Sequence, residues 1–150
     1  MTLRFTTDHA NTQDIARHLE ICDQAFHPPL SSRVNLSEYA YKLTKNAIRF
    51  EAWFEHDLIG LVAIYCNATD RVSAFVSNVS VVPAFAGRGI AKQLMATCIG
   101  HARSLNFSRI SLEVAPAAVA ALRLYEGLGF QRETSNITPQ EPIALTLRIG

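Results

Sequence analysis

The segment Val79-Ser80-Val81-Val82-Pro83-Ala84-Phe85-Ala86-Gly87-Arg88-Gly89-Ile90-Ala91-Lys92 runs from an apolar, strand-like stretch through a short loop into a helical pattern. A helix that begins there offers free backbone N–H groups and the positive end of its dipole. Gly87 and Gly89 carry no side chain that would keep a pyrophosphate from the backbone, and Arg88 and Lys92 add cationic contacts. These residue types point to phosphate binding; a loop that needs glycine only for its backbone angles is the alternative. A dinucleotide fingerprint is absent, because GxGxxG is not completed and no acidic residue follows at the required distance. The missing Gly-Lys-Ser/Thr excludes a P-loop.

Glu113 interrupts the apolar strand pattern Ser111-Leu112-Glu113-Val114, where a carboxylate is unexpected unless it is paired or faces a cleft. It is a candidate base; an exposed strand face, or an ion pair with Arg109 or Arg123, is the other reading. Tyr125 shares helical spacing with Val119 and Leu122, so pattern alone makes it an amphipathic core tyrosine. Glu51 on an earlier strand and His56 at a turn are weaker base candidates. His18 and His101 sit in amphipathic helical patterns as satisfied or solvated side chains. Ser77 and Ser80 have no His-Asp pattern beside them, which argues against a Ser-His-Asp hydrolase. The three cysteines, Cys22, Cys66 and Cys98, are widely spaced inside apolar patterns and read as buried free thiols. The paired spacings of a zinc site are absent, and no metal is expected.

A core must hold these residues in place. The chain has 150 residues, 49% hydrophobic and 18% charged, which is the composition of a globular protein, and we expect one domain over 1–150. A domain of that size buries roughly 70% of the surface its unfolded chain exposes. The formal net charge of +1 supplies no field that would gather nucleic acid or anionic lipid. No apolar run approaches the ~20 residues of a membrane helix, and MTLRFTTDHA lacks the apolar stretch of a secretory signal. A cytoplasmic protein with no membrane partner is expected.

The positioning elements follow from periodicity. Residues 3–7 form a first strand, after which Asn11 caps a helix with Ile15, Leu19, Cys22 and Phe26 on one face, ending before Pro28-Pro29. A second helix starts near Asn35, with Glu38 as the partner in a capping box. IRFEAWFE and LIGLVAIYC, joined at His56-Asp57, read as an antiparallel hairpin. SAFVSNVSVV is a third long strand, and a helix carries Ile90, Leu94, Cys98, Ala102 and Leu105. SRISLEV, AAVAALRLYEGL, GFQRE and PIALTLRI complete the pattern as strand, helix, short strand and closing strand.

Two of these segments, VSVVPAFAGRGIAKQL and LEVAPAAVAALRLYEGLGF, resemble in this order the pyrophosphate loop and C-terminal arm of the GCN5-related N-acetyltransferase (GNAT) superfamily. The order of strands and helices agrees as well, closely over 48–133 and loosely elsewhere. Ala86 and Ala118 stand where that family usually has Gln or Arg and an asparagine. The resemblance implies an α/β GNAT fold: a central, twisted, mostly antiparallel mixed sheet flanked by helices, with strands 73–82 and 108–114 splayed at the acetyl-CoA site.

It also implies a reaction, the direct attack of a primary amine on acetyl-CoA. The residues it assigns to the cofactor are Val79, Ser80, Val81, Gly87, Arg88, Gly89, Ile90, Ala91 and Lys92, with a backbone N–H near Val81 steadying the oxygen of the tetrahedral intermediate. An alkylammonium of pKa near ~10 must lose a proton before it attacks; Glu113 is the implied base, directly or through water. Tyr125 stands at the family's general-acid position. The resemblance places PPLSSRVNLSEYAYKL over the acceptor side, with Arg33 as a clamp for a carboxylate or phosphate and Tyr39 and Tyr41 as walls. A small-molecule amine, an amino sugar or amino acid derivative, is the expected acceptor. A non-catalytic acyl-CoA-binding module, a protein N-terminal acetyltransferase and a homodimer joined through the closing strand stay open.

Overall fold

The computed structural model describes residues 2–133 and 142–150. In chain order the elements are β1 (Arg4–Thr7), α1 (Thr12–Cys22), α2 (Leu36–Asn46), β2 (Ile48–Phe54), β3 (Asp57–Tyr65), β4 (Ser73–Val81), α3 (Ile90–Ser104), β5 (Arg109–Val114), α4 (Val119–Gly127), β6 (Gln131–Arg132) and β7 (Ile143–Arg148). Local chemistry sets the helix starts. Asn11 Oδ1 accepts from Asp14 N at 2.8 Å and Asp14 Oδ2 accepts from Asn11 N at 3.0 Å, a complete capping box for α1. At α2, Asn35 Oδ1 accepts from Glu38 N at 3.0 Å, but among the described residues Glu38 does not return the bond, so only half of the expected box forms.

The seven strands make one mixed sheet in the order β1-β2-β3-β4-β5-β7-β6. Every neighbouring pair is antiparallel except β4 with β5. Strand β7 lies between β5 and β6 of its own chain, so the closing strand is paired internally.

Alternation along the strands sends side chains to two cores. On one face α3 buries Ile90, Leu94, Met95 and Cys98 against Phe50, Val62, Ile64 and Ile110. On the other, α1 and α2 bury Ile15, Leu19 and Leu43 against Trp53, Leu58 and Leu61. Each fully buried large aliphatic contributes about 1.5–3 kcal/mol, which is why the two helical layers stay on the sheet. Gly60 permits one close approach: a Cβ there would lie 2.9 Å from Ile90 Cγ2 and 3.2 Å from Leu94 Cδ1. The start of α3 is thereby seated directly on β3.

Candidate active site

The sheet opens at the single parallel junction. β4 and β5 pair only at Ser73↔Arg109, Ala74↔Ile110 and Phe75↔Ser111, and their remaining residues diverge. Next to this split β4 carries a bulge, because Ile64 faces Val76 while Ala63 faces Asn78, leaving Ser77 as the extra residue. Beyond the bulge, Val82 N donates to Ile59 O of β3 at 2.8 Å. Antiparallel ladders alternate, so the Ser80 N–H also faces β3, while those of Val79 and Val81 turn to the opposite edge, into the split. The side chains of Val79 and Val81 pack toward α3, and Ser80 is buried on the α1 side.

β4 then passes through a short turn, Pro83–Phe85, to α3. Its N-cap is Gly89, at φ +78°, with Gly87 at +77°, both in the left-handed region that favours glycine. The first turn of α3 differs from those of α1 and α2. It has no side-chain cap and no acidic residue, and Lys92 stands against the positive end of the dipole. Nothing lies within 4 Å of where a Cβ would sit on either glycine. The combination of open N–H groups, bare backbone and cations suits a bound phosphate group. Arg88 lies over the Phe85 ring at 5.2 Å, and Phe85 packs on Phe54 at 5.5 Å.

The two catalytic candidates lie on opposite faces of the sheet. Tyr125 on α4 is 6% exposed within the α3-side core and meets Phe130 edge-on at 5.9 Å. Burial pushes its hydroxyl well above the ordinary tyrosine range, so it remains an O–H donor at neutral pH. Among the described residues nothing hydrogen-bonds that hydroxyl. Ala118 is the N-cap of α4 and makes no side-chain bond, so α4 starts uncapped. Glu113 alternates with the buried Leu112 and Val114 and is exposed on the α1/α2 face. It pairs across the sheet with Ala144 and makes no ion pair with Arg109 or Arg123 among the described residues.

On the α2 side of the split the Tyr39 hydroxyl donates to Ser77 O at 3.1 Å and lies 2.6 Å from Ser77 Oγ. Burial raises the Tyr39 pKa, opposed by hydrogen bonds with Ser77 and Asn78 and by the charge of Arg33. The Tyr65 hydroxyl is buried without a partner among the described residues, and Lys42 Nζ sits 5.7 Å from the Tyr65 ring centroid. Tyr41 is 59% exposed and does not join this cluster, contrary to its expected role as a wall. Two positions along a helix point about 200° apart, so only one of Tyr39 and Tyr41 can face the sheet.

Residues 12–130 match the acetyltransferase (GNAT) family. The chain belongs to the GNAT acetyltransferase family. The matched residues run from the start of α1 past the end of α4 and so take in the split, the loop before α3, Glu113 and Tyr125. N-acetylaspartate synthetase of Danio rerio is 31% identical over 122 residues, which cover 80% of this chain and 42% of that protein. The ribosomal protein bS18 alanine N-acetyltransferase of Haemophilus ducreyi is 30% identical over 122 residues, covering 81% of this chain and 79% of that protein. The chain therefore spans less than half of the first relative and about four fifths of the second. The Salmonella typhimurium protein yncA, solved with its cofactor acetyl-CoA, has the same fold, with a TM-score of 0.72 over 97% of this chain and 94% of that one at 19% identity. Among the described residues no helix is long and apolar enough to cross a membrane, and no three His, Cys, Asp or Glu side chains gather as a metal would require.

The GNAT motifs leave two features unannounced. Ser80 does meet a histidine: His18 Nε2 lies 2.8 Å from its Oγ. His18 Nδ1 faces the Leu58 carbonyl at 2.9 Å and no carboxylate, and burial lowers its pKa to about 4, so the pair lacks the base strength of a hydrolase. Glu51 is fully buried two strands away from the split, accepting from Thr6 Oγ1 at 2.7 Å and from the His9 and Ala10 N–H groups at 2.9 and 3.0 Å, beside Arg49. That binding makes it a structural tie between β2 and the start of α1, and removes it as a base candidate. His56 stays at the hairpin turn, exposed. Cys22 and Cys98 are buried free thiols held up at about 12, and Cys66 is half-buried.

Proposed function

We propose that this chain moves the acetyl group of acetyl-CoA onto the α-amino group of an amino acid or a small amino-acid derivative. The observation that carries the transfer chemistry is the pair of N–H groups, from Val79 and Val81, turned into the split where β4 leaves β5. Acetyl-CoA supplies the activated thioester. Backbone N–H groups of 87–92, with Arg88 and Lys92, take its pyrophosphate at the start of α3. The Val81 N–H donates to the carbonyl oxygen as it gains negative charge, and being part of a strand it needs no reorganisation to do so. Glu113, at the open face, takes the ammonium proton directly or through water. Tyr125 donates from the other face to the departing sulfur. A tyrosine raised by burial hands over its proton only to a thiolate made more basic by the same dry surroundings, so the site must close around the sulfur.

Support for the acceptor is of two kinds. The Arg33 charge reaches Tyr39, and Lys42 lies over Tyr65, so two cations flank the hydroxyl cluster and complement an acceptor carboxylate. The names of the two relatives share a chemistry: in N-acetylaspartate, and in acetylated alanine, the acetyl group sits on an α-nitrogen. The second reading, an N-terminal residue of a protein, is favoured by the Haemophilus relative.

Thiol release from acetyl-CoA, measured with free amino acids, amino sugars, polyamines and N-terminal peptides, tests the proposal. Amines that bear a carboxylate should turn over best, with KM raised by Arg33→Ala. Turnover of peptides alone, indifferent to Arg33→Ala, would establish the second reading. Acetyl-CoA binding with no turnover of any amine would make the chain a binding module.

A further inference from the structure

A buried polar string crosses the α1/α2 face of β4, and the transfer chemistry uses none of its side chains. His18 on α1 joins Leu58 O at 2.9 Å and Ser80 Oγ at 2.8 Å. The Ser80 hydroxyl donates to Asn78 Oδ1 at 2.8 Å, and Cys22 Sγ lies 3.7 Å from His18 Nε2. His18, Asn78 and Ser80 are 1%, 5% and 8% exposed. A carbonyl oxygen only accepts, so Nδ1 carries the ring proton and Nε2 is an acceptor. The Ser80 hydroxyl has one hydrogen for two acceptors at 2.8 Å, His18 Nε2 and Asn78 Oδ1, and shares it between them, while Cys22 is a second, weaker donor toward Nε2. Such a network adds little net stability over apolar side chains of the same shape, because desolvation offsets most of its gain. Its definite effect is on geometry.

Ser80 precedes Val81, whose N–H faces the split. On the β3 side β4 is held by the pairs Leu61↔Ser80 and Gly60↔Val81, but past Phe75, among the described residues, nothing pairs with it on the β5 side. A small rotation of the strand about its own axis at Ser80 would swing the Val81 N–H off its target. We infer that His18 is a positioning residue for acetyl transfer: acting through Ser80 and Asn78, it holds the twist of β4 that aims the Val81 N–H at the acyl oxygen. This rests on the reading of that N–H given above.

The test compares Ser80→Val with Ser80→Thr, two side chains of nearly equal size that differ in the hydroxyl. Two quantities are read on folded protein: kcat, and the infrared stretch of the bound thioester carbonyl, using acetyl-CoA with an isotope-labelled carbonyl. Ser80→Val should lower kcat by roughly 10- to 100-fold, less than the ~10²–10³ for losing an oxyanion donor outright. Its carbonyl stretch should move toward that of free acetyl-CoA, while affinity for CoA, which has no acyl group, changes less than about twofold, since the lost interaction grows only as charge develops. Ser80→Thr should retain most of the carbonyl shift and most of kcat. His18→Leu should resemble Ser80→Val, and the double variant should be no worse than either, as for residues that act as a unit. A Ser80→Val protein with the wild-type carbonyl stretch overturns the inference, as does a kcat loss matched by an equal loss of CoA affinity. A wild-type stretch equal to that of free acetyl-CoA would instead defeat the underlying reading of the Val81 N–H.

Discussion

Replacing His18 by glutamine should flatten the acid limb of the stability curve. His18 is 1% exposed, and burial lowers its pKa from 6.5 to about 4, against the raising effect of its hydrogen bond to Leu58. The folded state therefore holds the neutral ring. Above about pH 6.5 neither state carries the proton and the stability is complete. Between pH 6.5 and about 4 the unfolded chain binds a proton that the folded chain refuses, so stability falls as pH falls; below about 4 both bind it and the loss stops growing. At about 1.4 kcal/mol per pH unit, the window sums to about 3 kcal/mol, a large part of a typical folding margin. Glutamine can donate to Leu58 O and accept from Ser80 or Cys22, yet does not titrate. Asp14, Arg17, His56 and Asp57 line the shallow cleft over His18 and are common to both proteins, so the difference between the two curves isolates the ring. Guanidinium unfolding from pH 7 to pH 4 should show the wild type losing about 3 kcal/mol more than the variant. Parallel curves would refute the reasoning.

Gly89→Val places a β-branched residue at φ +78°; the ~1–3 kcal/mol of strain should weaken CoA binding on the order of 10-fold or more by calorimetry, and unchanged affinity in a folded variant would detach the loop from the cofactor. Tyr125→Phe should lower kcat by ~10²–10⁴ with CoA affinity intact, whereas a wild-type single-turnover rate would return Tyr125 to the core. Glu113→Gln should slow turnover most at low pH, where the acceptor is most protonated; an unchanged pH–rate profile would leave the base to water. Glu51→Ala removes the counter-charge 3.5 Å from the buried Arg49 Nε and the acceptor of the His9 and Ala10 N–H groups, and should cost about 3–5 kcal/mol in denaturant unfolding. A loss below about 1 kcal/mol would mean that Glu51 is no tie.

Periodicity and caps made most of the elements legible. The unbroken apolar run Leu58–Ile64 and helical spacing from Ile90 to Ala102 are local signals, and Asn11 sits next to the turn it caps. The loop ahead of α3 was legible for the same reason, since its glycines, cations and helix start are contiguous. The rest depends on pairs distant in sequence. Ser80 and His18 are separated by 62 positions, and no spacing rule brings α1 under β4. Glu51 reads from the sequence only as a weaker base candidate on an earlier strand; the β1–α1 connection reveals which N–H groups it satisfies. Tyr39 and Tyr41 looked equivalent as composition, and helix geometry separates them.

The short β4–β5 junction gives this sheet four strand edges instead of two. The outer pair is defended by brevity, with four residues in β1 and two in β6. The inner pair, the diverging lips of β4 and β5, is left open in the middle of the molecule, where an added strand or an extended ligand can complete it. A bound pantetheine arm would then act as the sheet's missing strand. Amide hydrogens at Val79 and Val81, central by address, should exchange with solvent like those of an edge until that arm is in place.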